Sequence, residues 1–208
     1  MDEQVLRSLI KWSEVADCFG WLALDRRGQW RMRDEYAQAN GLPGKVIEHT
    51  TLNEYIARNY ARDTSGRHFF QNGPQRVFVT LDATPWIARI YPGITHLKIL
   101  TQCNTPIKPQ SALCDEVGNV YIIGLIEQMI STELNASTQS RFTKTESLAV
   151  ALLHDHDLDL FSSQSQVQED ACSFKGVWTW QDCPLPIEPI HSAELSGRFH
   201  FIKTPIQN

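Results

Sequence analysis

The chain has 208 residues, 42% of them hydrophobic and 21% charged, with a formal net charge of −5. These fractions suit one large domain or two small ones with a sizeable core, and they exclude wholesale disorder. The acidic balance argues against a nucleic-acid surface, which needs a basic face.

In chain order, Val5, Leu6, Leu9, Ile10 and Val15 fall at helical spacing. They predict an N-terminal helix from Asp2 to about Cys18, ended by Gly20. "WLALD" and "QWRM" predict two strands joined by a hairpin turn over Asp25 to Gln29, with Arg26, Arg27, Arg31 and Arg33 on a solvated hairpin. A polar loop follows. "TTLNEYIARNYA" predicts a helix with Thr51 and Glu54 as a capping box and Leu52, Tyr55, Ile56 and Tyr60 on one face. Asn72-Gly73 marks a tight turn. "RVFVTL" and "WIARIY" predict strands around the turn Asp82 to Pro85, and "HLKILTQ" predicts another. "NTPIKPQ" is expected to be a connection and the domain boundary.

"DRRGQWRM" (25–32) is echoed by "DEVGNVYI" (115–122). Asp-x-x-Gly is ordinary turn chemistry, but the order of elements after each copy also matches. Leu125, Ile126, Met129, Ile130 and Leu134 predict a helix, "STQSRFTKTE" a loop, and "SLAVALLHDHDLDLF" two strands around a polar turn. "SSQSQVQED" then reads as a surface loop, "FKGVWTW" as a strand, "PLPIEPIHS" as an extended segment and "SGRFHFI" as a last strand. The expected fold is α+β. It has an N-terminal helix (1–20), a first antiparallel-sheet-plus-helix unit (21–104) and a related second unit with a short β tail (105–208).

Leu24 to Ile90 carries a Gly-x-Trp hairpin (Gly28, Trp30), a helix start with Ile47 and Leu52, and a Gly-aromatic strand (Gly66, Phe69, Phe70). Pro74, Arg76 and Val77 follow, then Asp82, Ala83, Pro85 and Trp86. In these features the chain resembles a bacterial family of uncharacterised two-domain proteins of unknown function. The resemblance implies two small α+β units with repeated motifs and a regulatory or signalling role. It brings no established activity.

Nothing in the sequence forms a phosphate-binding glycine loop, a His-Glu-x-x-His helix or a nucleophile elbow. The binding set with the best chemistry is Arg67, Phe69, Gln71, Asn72, Gln75, Arg76 and Trp86, which combines apolar walls with planar donors and acceptors. His154 and His156, two apart, would share a strand face and could ligate one metal; a polar turn is the competing reading. Cys103 with His96 could pair as thiolate and imidazole, against a buried thiol. Trp178 and Trp180 would share a face, as core or as a partner surface.

Five widely spaced cysteines (Cys18, Cys103, Cys114, Cys172, Cys183) without a Cys-x-x-Cys pair read as reduced core thiols. No signal peptide and no apolar run of roughly 20 residues is found. The expectation is therefore a cytoplasmic, non-enzymatic module that binds a small molecule or a protein, with no cofactor, no nucleic acid and no membrane contact, and with homo-oligomerisation open. The alternative is a metal-dependent hydrolase using His154 and His156.

Overall fold

The structure, a computed structural model, describes residues 1–12, 15–133, 140–170 and 173–207. Helix α1 (Glu3–Lys11) precedes strands β1 (Cys18–Leu24) and β2 (Trp30–Met32), helix α2 (Glu35–Ala39), strand β3 (Lys45–Val46) and helix α3 (Thr50–Arg58). Then come β4 (Tyr60–Asp63), β5 (His68–Asn72), β6 (Gln75–Leu81), β7 (Trp86–Tyr91) and β8 (Lys98–Thr101). Three long strands follow: β9 (Pro106–Cys114), β10 (Val120–Glu133) and β11 (Ser140–Leu153). A 3-10 turn (Asp155–Asp157) leads into α4 (Leu158–Ser163), β12 (Ser165–Asp170), β13 (Ser173–Trp180) and β14 (Cys183–Pro189). A second 3-10 turn (Ser192–Glu194) and α5 (Leu195–Arg198) close the chain. The fold is α+β and largely sheet.

These strands form one pairing network. β7, β8, β9, β10 and β11 pair in a closed circuit, with β7 and β11 parallel and the other pairs antiparallel. Ile87, Ile99, Leu113, Ile122 and Leu152 from this circuit are buried in the main core. From β10 the sheet continues as β4, β5, β6, β1, β2 and β3, and from β9 as β14, β13 and β12. The joint between β4 and β10 spans two pairs only, Arg62↔Ile130 and Asp63↔Ser131.

The echoed turns have the same hydrogen bonds. The Asp25 backbone N–H donates to the Gln29 carbonyl, and Gly28 N–H donates to the Asp25 carbonyl. The Asp25 Oδ1 accepts from the N–H groups of Arg27 and Gln29. Asp115 repeats this with Val117, Gly118 and Asn119. So does Asp63, with Ser65, Gly66 and Arg67. At Thr101 the hydroxyl replaces the carboxylate, accepting from Cys103 and Thr105, and Asn104 takes the left-handed place of glycine at φ 56°. The carboxylate or hydroxyl satisfies backbone donors that the tight turn would otherwise leave without partners.

The likeness stops at the turns. The helix expected over Leu125 to Leu134 is strand β10 as far as the described residues run, paired with β11 from Tyr121↔Leu152 to Glu133↔Ser140. Ile126 and Gln128 are buried and Glu127 between them is exposed, a strand's period of two. Val, Ile and Thr side chains suit a pleated surface, and pairing on both sides outweighs the helical spacing of Leu125, Ile126, Met129 and Ile130. "SRFTKTE", expected as a loop, lies in β11, and "SQVQED" is β12. "HDHDLDLF" is a 3-10 turn and α4, because Asp157 turns inward to Arg89 and ends the strand at Leu153. "NTPIKPQ" begins β9, and position 104/105 falls within the Thr101–Thr105 turn.

The N-terminal helix ends at Lys11, and Gly20 lies inside β1. Helix α3 forms as expected, but its cap is His49, whose Nδ1 accepts from Leu52 N–H at 3.3 Å, not Thr51. β6 and β7 exist but do not pair with each other; β6 lies between β5 and β1, and β7 between β8 and β11. "SGRFHFI" is α5 followed by an irregular tail. Ile202 N–H donates to the Gly66 carbonyl, and the Lys203 carbonyl accepts from Leu81. Gly66, at φ +84°, lets the tail lie close: a Cβ there would stand 2.2 Å from the His200 carbonyl oxygen. Among the cysteines, Cys18, Cys103 and Cys114 are half-buried, Cys183 is exposed, and Cys172 lies outside the described residues.

Candidate functional site

A cleft of about 400 Å³ opens between the Asp25–Gln29 turn, β3, helix α3 and the Thr101–Thr105 turn. Thr50, Asn53, Glu54 and Ala57 line it, and their spacing puts them on one face of α3. Leu52, Tyr55 and Ile56 pack on the core instead. Trp30, Val46 and Ile47 add apolar surface, and Gln29, Gln102 and Asn104 add amides. Among the described residues no Lys or Arg is in the lining.

Each wall is held in place. Trp30 is buried, with its ring edge-on to Tyr60 at 5.2 Å. Ile47 N–H donates to the Trp30 carbonyl at 2.8 Å, which fixes the segment leading into α3. Gly28, at φ +77°, brings the first turn against Gln102; a Cβ would lie 3.1 Å from the Gln102 Cβ. Gln102 Oε1 accepts from Ile87 N–H at 2.9 Å and its Nε2 donates to the Pro85 carbonyl at 3.1 Å. Asn53 Nδ2 donates to the Ile47 carbonyl at 2.8 Å, while Asn53 Oδ1 is buried without a hydrogen-bond partner. A buried acceptor in that state costs free energy until a donor reaches it.

The residues chosen from sequence do not converge on one pocket. Along β5 and β6 the alternation of side chains splits them. Arg67, Phe69, Gln71 and Arg76 share one face. There Arg67 pairs with Asp63 at 2.6 Å and lies over Phe78, and Arg76 lies over the fully buried Phe69. Gln71 Nε2 donates to the Gly73 carbonyl. Asn72 is exposed, Gln75 donates to the Ala16 carbonyl, and Trp86 is buried on the other side, edge-on to Tyr60 and His68. Trp178 and Trp180 are buried, so they are core.

His154, Asp155 and His156 do come together, with one ligand-capable atom from each within 4.8 Å of the others. The geometry is that of a turn, not a strand. His154 is buried, and its Nδ1 accepts from His156 N–H at 3.1 Å and lies 2.6 Å from Asp155 Oδ1. Burial, followed by the nearby Arg89 charge, holds the His154 imidazole below its ordinary pKa. Arg27 reaches across from the first turn to Asp155 Oδ2 at 3.3 Å, and Arg26 donates to Asn119 Oδ1 at 2.5 Å. These two arginines therefore cross-link turns. Burial pushes the Cys103 thiol far up, so it is no thiolate at neutral pH.

No sequence expectation gives Asn53, Glu54, Gln102 or Trp30 a binding role. One signal was available: Thr50, Asn53, Glu54 and Ala57 form the polar stripe opposite the apolar face of α3. The partner wall, Gln102, is far away in sequence, and no local pattern joins it to α3.

Fold and cleft together define an α+β, largely sheet protein with an amide-rich crevice of about 400 Å³. The chain belongs to the family DUF2944, described as "Protein of unknown function (DUF2946)", whose family model matches residues 1–206. It is similar in structure to a crystal structure of a DUF1285 family protein from Silicibacter pomeroyi DSS-3. That similarity covers 86% of this chain and 84% of the other, at 11% identity and a TM-score of 0.41. No curated protein matches. Among the described residues no helix is long and apolar enough to cross a membrane.

Proposed function

We propose that the protein is a non-enzymatic, regulatory binding module that takes a small molecule in the cleft between α3 and the Asp25 and Thr101 turns. The observation that carries this is the buried, unpartnered Asn53 Oδ1 in the lining of a cleft of about 400 Å³. Pockets for small ligands combine apolar walls with a few fixed polar groups. Trp30 and Ile47 provide the walls, and Asn53 Oδ1 and the Glu54 carboxylate provide acceptors. With no cation in the lining, the matching ligand is neutral or cationic and carries N–H donors. Such a module would act by changing state on binding, in line with the regulatory role that the family resemblance implies.

Thermal-shift screening of amine- and amide-bearing compounds, followed by Trp fluorescence titration, tests this reading. Ligand binding raises the melting temperature with the logarithm of concentration over Kd. Glu54 is exposed, so Glu54→Gln should leave the free protein's melting unchanged. It should weaken a cationic ligand by roughly 10-fold or more, the value of one charge-assisted hydrogen bond. Undiminished affinity in both Glu54→Gln and Asn53→Leu would place the ligand elsewhere.

The grouping of His154, Asp155 and His156 favours a second reading, a metal-dependent hydrolase. A first-row transition metal suits two imidazoles and a carboxylate. It would have to displace Arg27 from Asp155 and His156 N–H from His154 Nδ1, which is why the cleft reading leads. Elemental analysis of protein saturated with Zn²⁺ and then desalted separates the two. Stoichiometric metal that is lost in a His154→Ala/His156→Ala double mutant supports the hydrolase. Metal-free wild-type protein removes it.

A further inference from the structure

The two-pair joint between β4 and β10 leaves a wedge beside it, roofed by the C-terminal tail. Arg62, His68 and Gln128 enter from the sheets, and Trp86, Leu148, Phe199 and Phe201 close it with apolar surface. Arg62 and His68 are direct cross-strand partners. His68 is 2% exposed, and neither ring nitrogen has a hydrogen-bond partner of normal geometry. Arg62 Nε is likewise buried and unpartnered, and Arg62 makes no ion pair among the described residues. The cavity measures about 10 Å³, room for about one water-sized particle.

An arginine stays charged in any protein; Arg62 is half-buried as a residue, but its buried Nε–H is an unmet donor that an anion would satisfy. The second polar group is uncharged and adds one donor. Burial first, and the Arg62 charge second, push the His68 imidazole down to a pKa of about 3, despite a weak opposing pull from the Gly66 backbone. His68 is therefore neutral, with one N–H to donate. Gln128 donates to Ser147 Oγ and keeps a second amide hydrogen. Among the described residues no carboxylate lines the wedge. Three donor groups, one of them cationic, thus converge on a compact apolar-walled space.

We propose that this wedge is an anion-binding site, separate from the α3 cleft, that takes a compact single negative charge. The charge is a monatomic halide or the carboxylate tip of a larger apolar ligand. The space holds about one water-sized particle with the tail in place, so a halide, somewhat larger, needs a small outward shift of the surrounding side chains. A larger carboxylate needs Phe199 and Phe201 to move, and the tail is tied there by the hydrogen bonds from Ile202 to Gly66 and from Leu81 to Lys203.

Melting of the full chain in sodium chloride or bromide, against sodium gluconate at equal ionic strength, tests the site. Wild-type protein should gain ~2–4 °C at saturating halide. Arg62→Met, which keeps the apolar stem, should lose that gain and melt in gluconate no lower than wild type. Should that variant not fold, chloride-35 line broadening on wild-type protein, competed by bromide, reads the same binding. A larger shift with benzoate, together with loss of hydrogen-exchange protection at the Ile202 amide, would identify the carboxylate source. Equal melting in halide and gluconate, or an undiminished halide gain in Arg62→Met, would overturn the proposal.

Discussion

Acidification from about pH 6.5 to about pH 3 is expected to cost the native state roughly 4–5 kcal/mol through His68 alone. In the unfolded chain this imidazole takes a proton near its ordinary pKa of 6.5, whereas in the folded protein it resists until about pH 3. Above pH 6.5 both states are neutral there, and the group contributes nothing to the pH dependence. Below it the unfolded state binds the extra proton, so stability falls by about 1.4 kcal/mol per pH unit until the folded group also titrates. The cause is burial between Tyr60 and Trp86, with the Arg62 charge adding to it. His68→Phe fills the same aromatic slot without a basic nitrogen. Urea unfolding at pH 7 and pH 4.5 should show the variant gaining roughly 2–3 kcal/mol on wild type over that interval. The paired comparison cancels the carboxylates, which lose their contribution at lower pH. Asp115 is one of these: burial raises its pKa, but hydrogen bonds from Asn119, Tyr121 and Val117 outweigh that and hold it below its ordinary value. Identical pH dependence in wild type and variant would mean that His68 is accessible to protons in the native state.

Trp178→Ala should be the most damaging single truncation in the C-terminal half, at about 3–5 kcal/mol. Trp178 is fully buried in β13, paired with Ser165 of β12 and Leu185 of β14. Its ring lies 5.2 Å from Phe161 and 5.1 Å from Trp180. Removing it opens a cavity where β12, β13, β14 and α4 meet, and the paired backbones on either side cannot collapse to fill it. The indole N–H is buried without a partner. Trp178→Phe removes that penalty along with part of the ring, so it should cost less than half as much. Denaturant midpoints followed by far-UV circular dichroism would check both. Equal losses for Ala and Phe would show that ring volume is not what holds this corner.

What was legible in the sequence is local. Asp-x-x-Gly encodes its turn within five residues, because one carboxylate satisfies two backbone N–H groups nearby. That is why Asp25 and Asp115 build the same structure about ninety positions apart. Thr101 and Asn104 build it too without the signature residues, a substitution of hydroxyl for carboxylate and of left-handed Asn for Gly that no pattern search for Asp-x-x-Gly finds. Helix α3 and the Asn72–Gln75 hairpin were legible for the same reason: their stabilising contacts lie within a few residues of each other.

Tertiary structure decided the rest. Leu125, Ile126, Met129 and Ile130 fit a helix as well as a strand; β11 along one edge, with β9 beside Leu125 and Ile126 and β4 beside Ile130 on the other, resolves the ambiguity, since the paired backbone supplies hydrogen bonds that the segment cannot find alone. The set of Arg67, Phe69, Gln71, Asn72, Gln75, Arg76 and Trp86 has the composition of a pocket, but strand alternation puts Arg67, Phe69, Gln71 and Arg76 on one face and β7 carries Trp86 to the other side. The cleft joins α3 to Gln102, and the wedge joins Arg62 to Gln128 and Phe201. These pairings come from sheet topology. By itself, then, the sequence determined the turns, one good helix and the apolar stock of the core. Which residues meet across the sheets was settled by long-range pairing, because that free energy belongs to two distant segments at once and is written in neither.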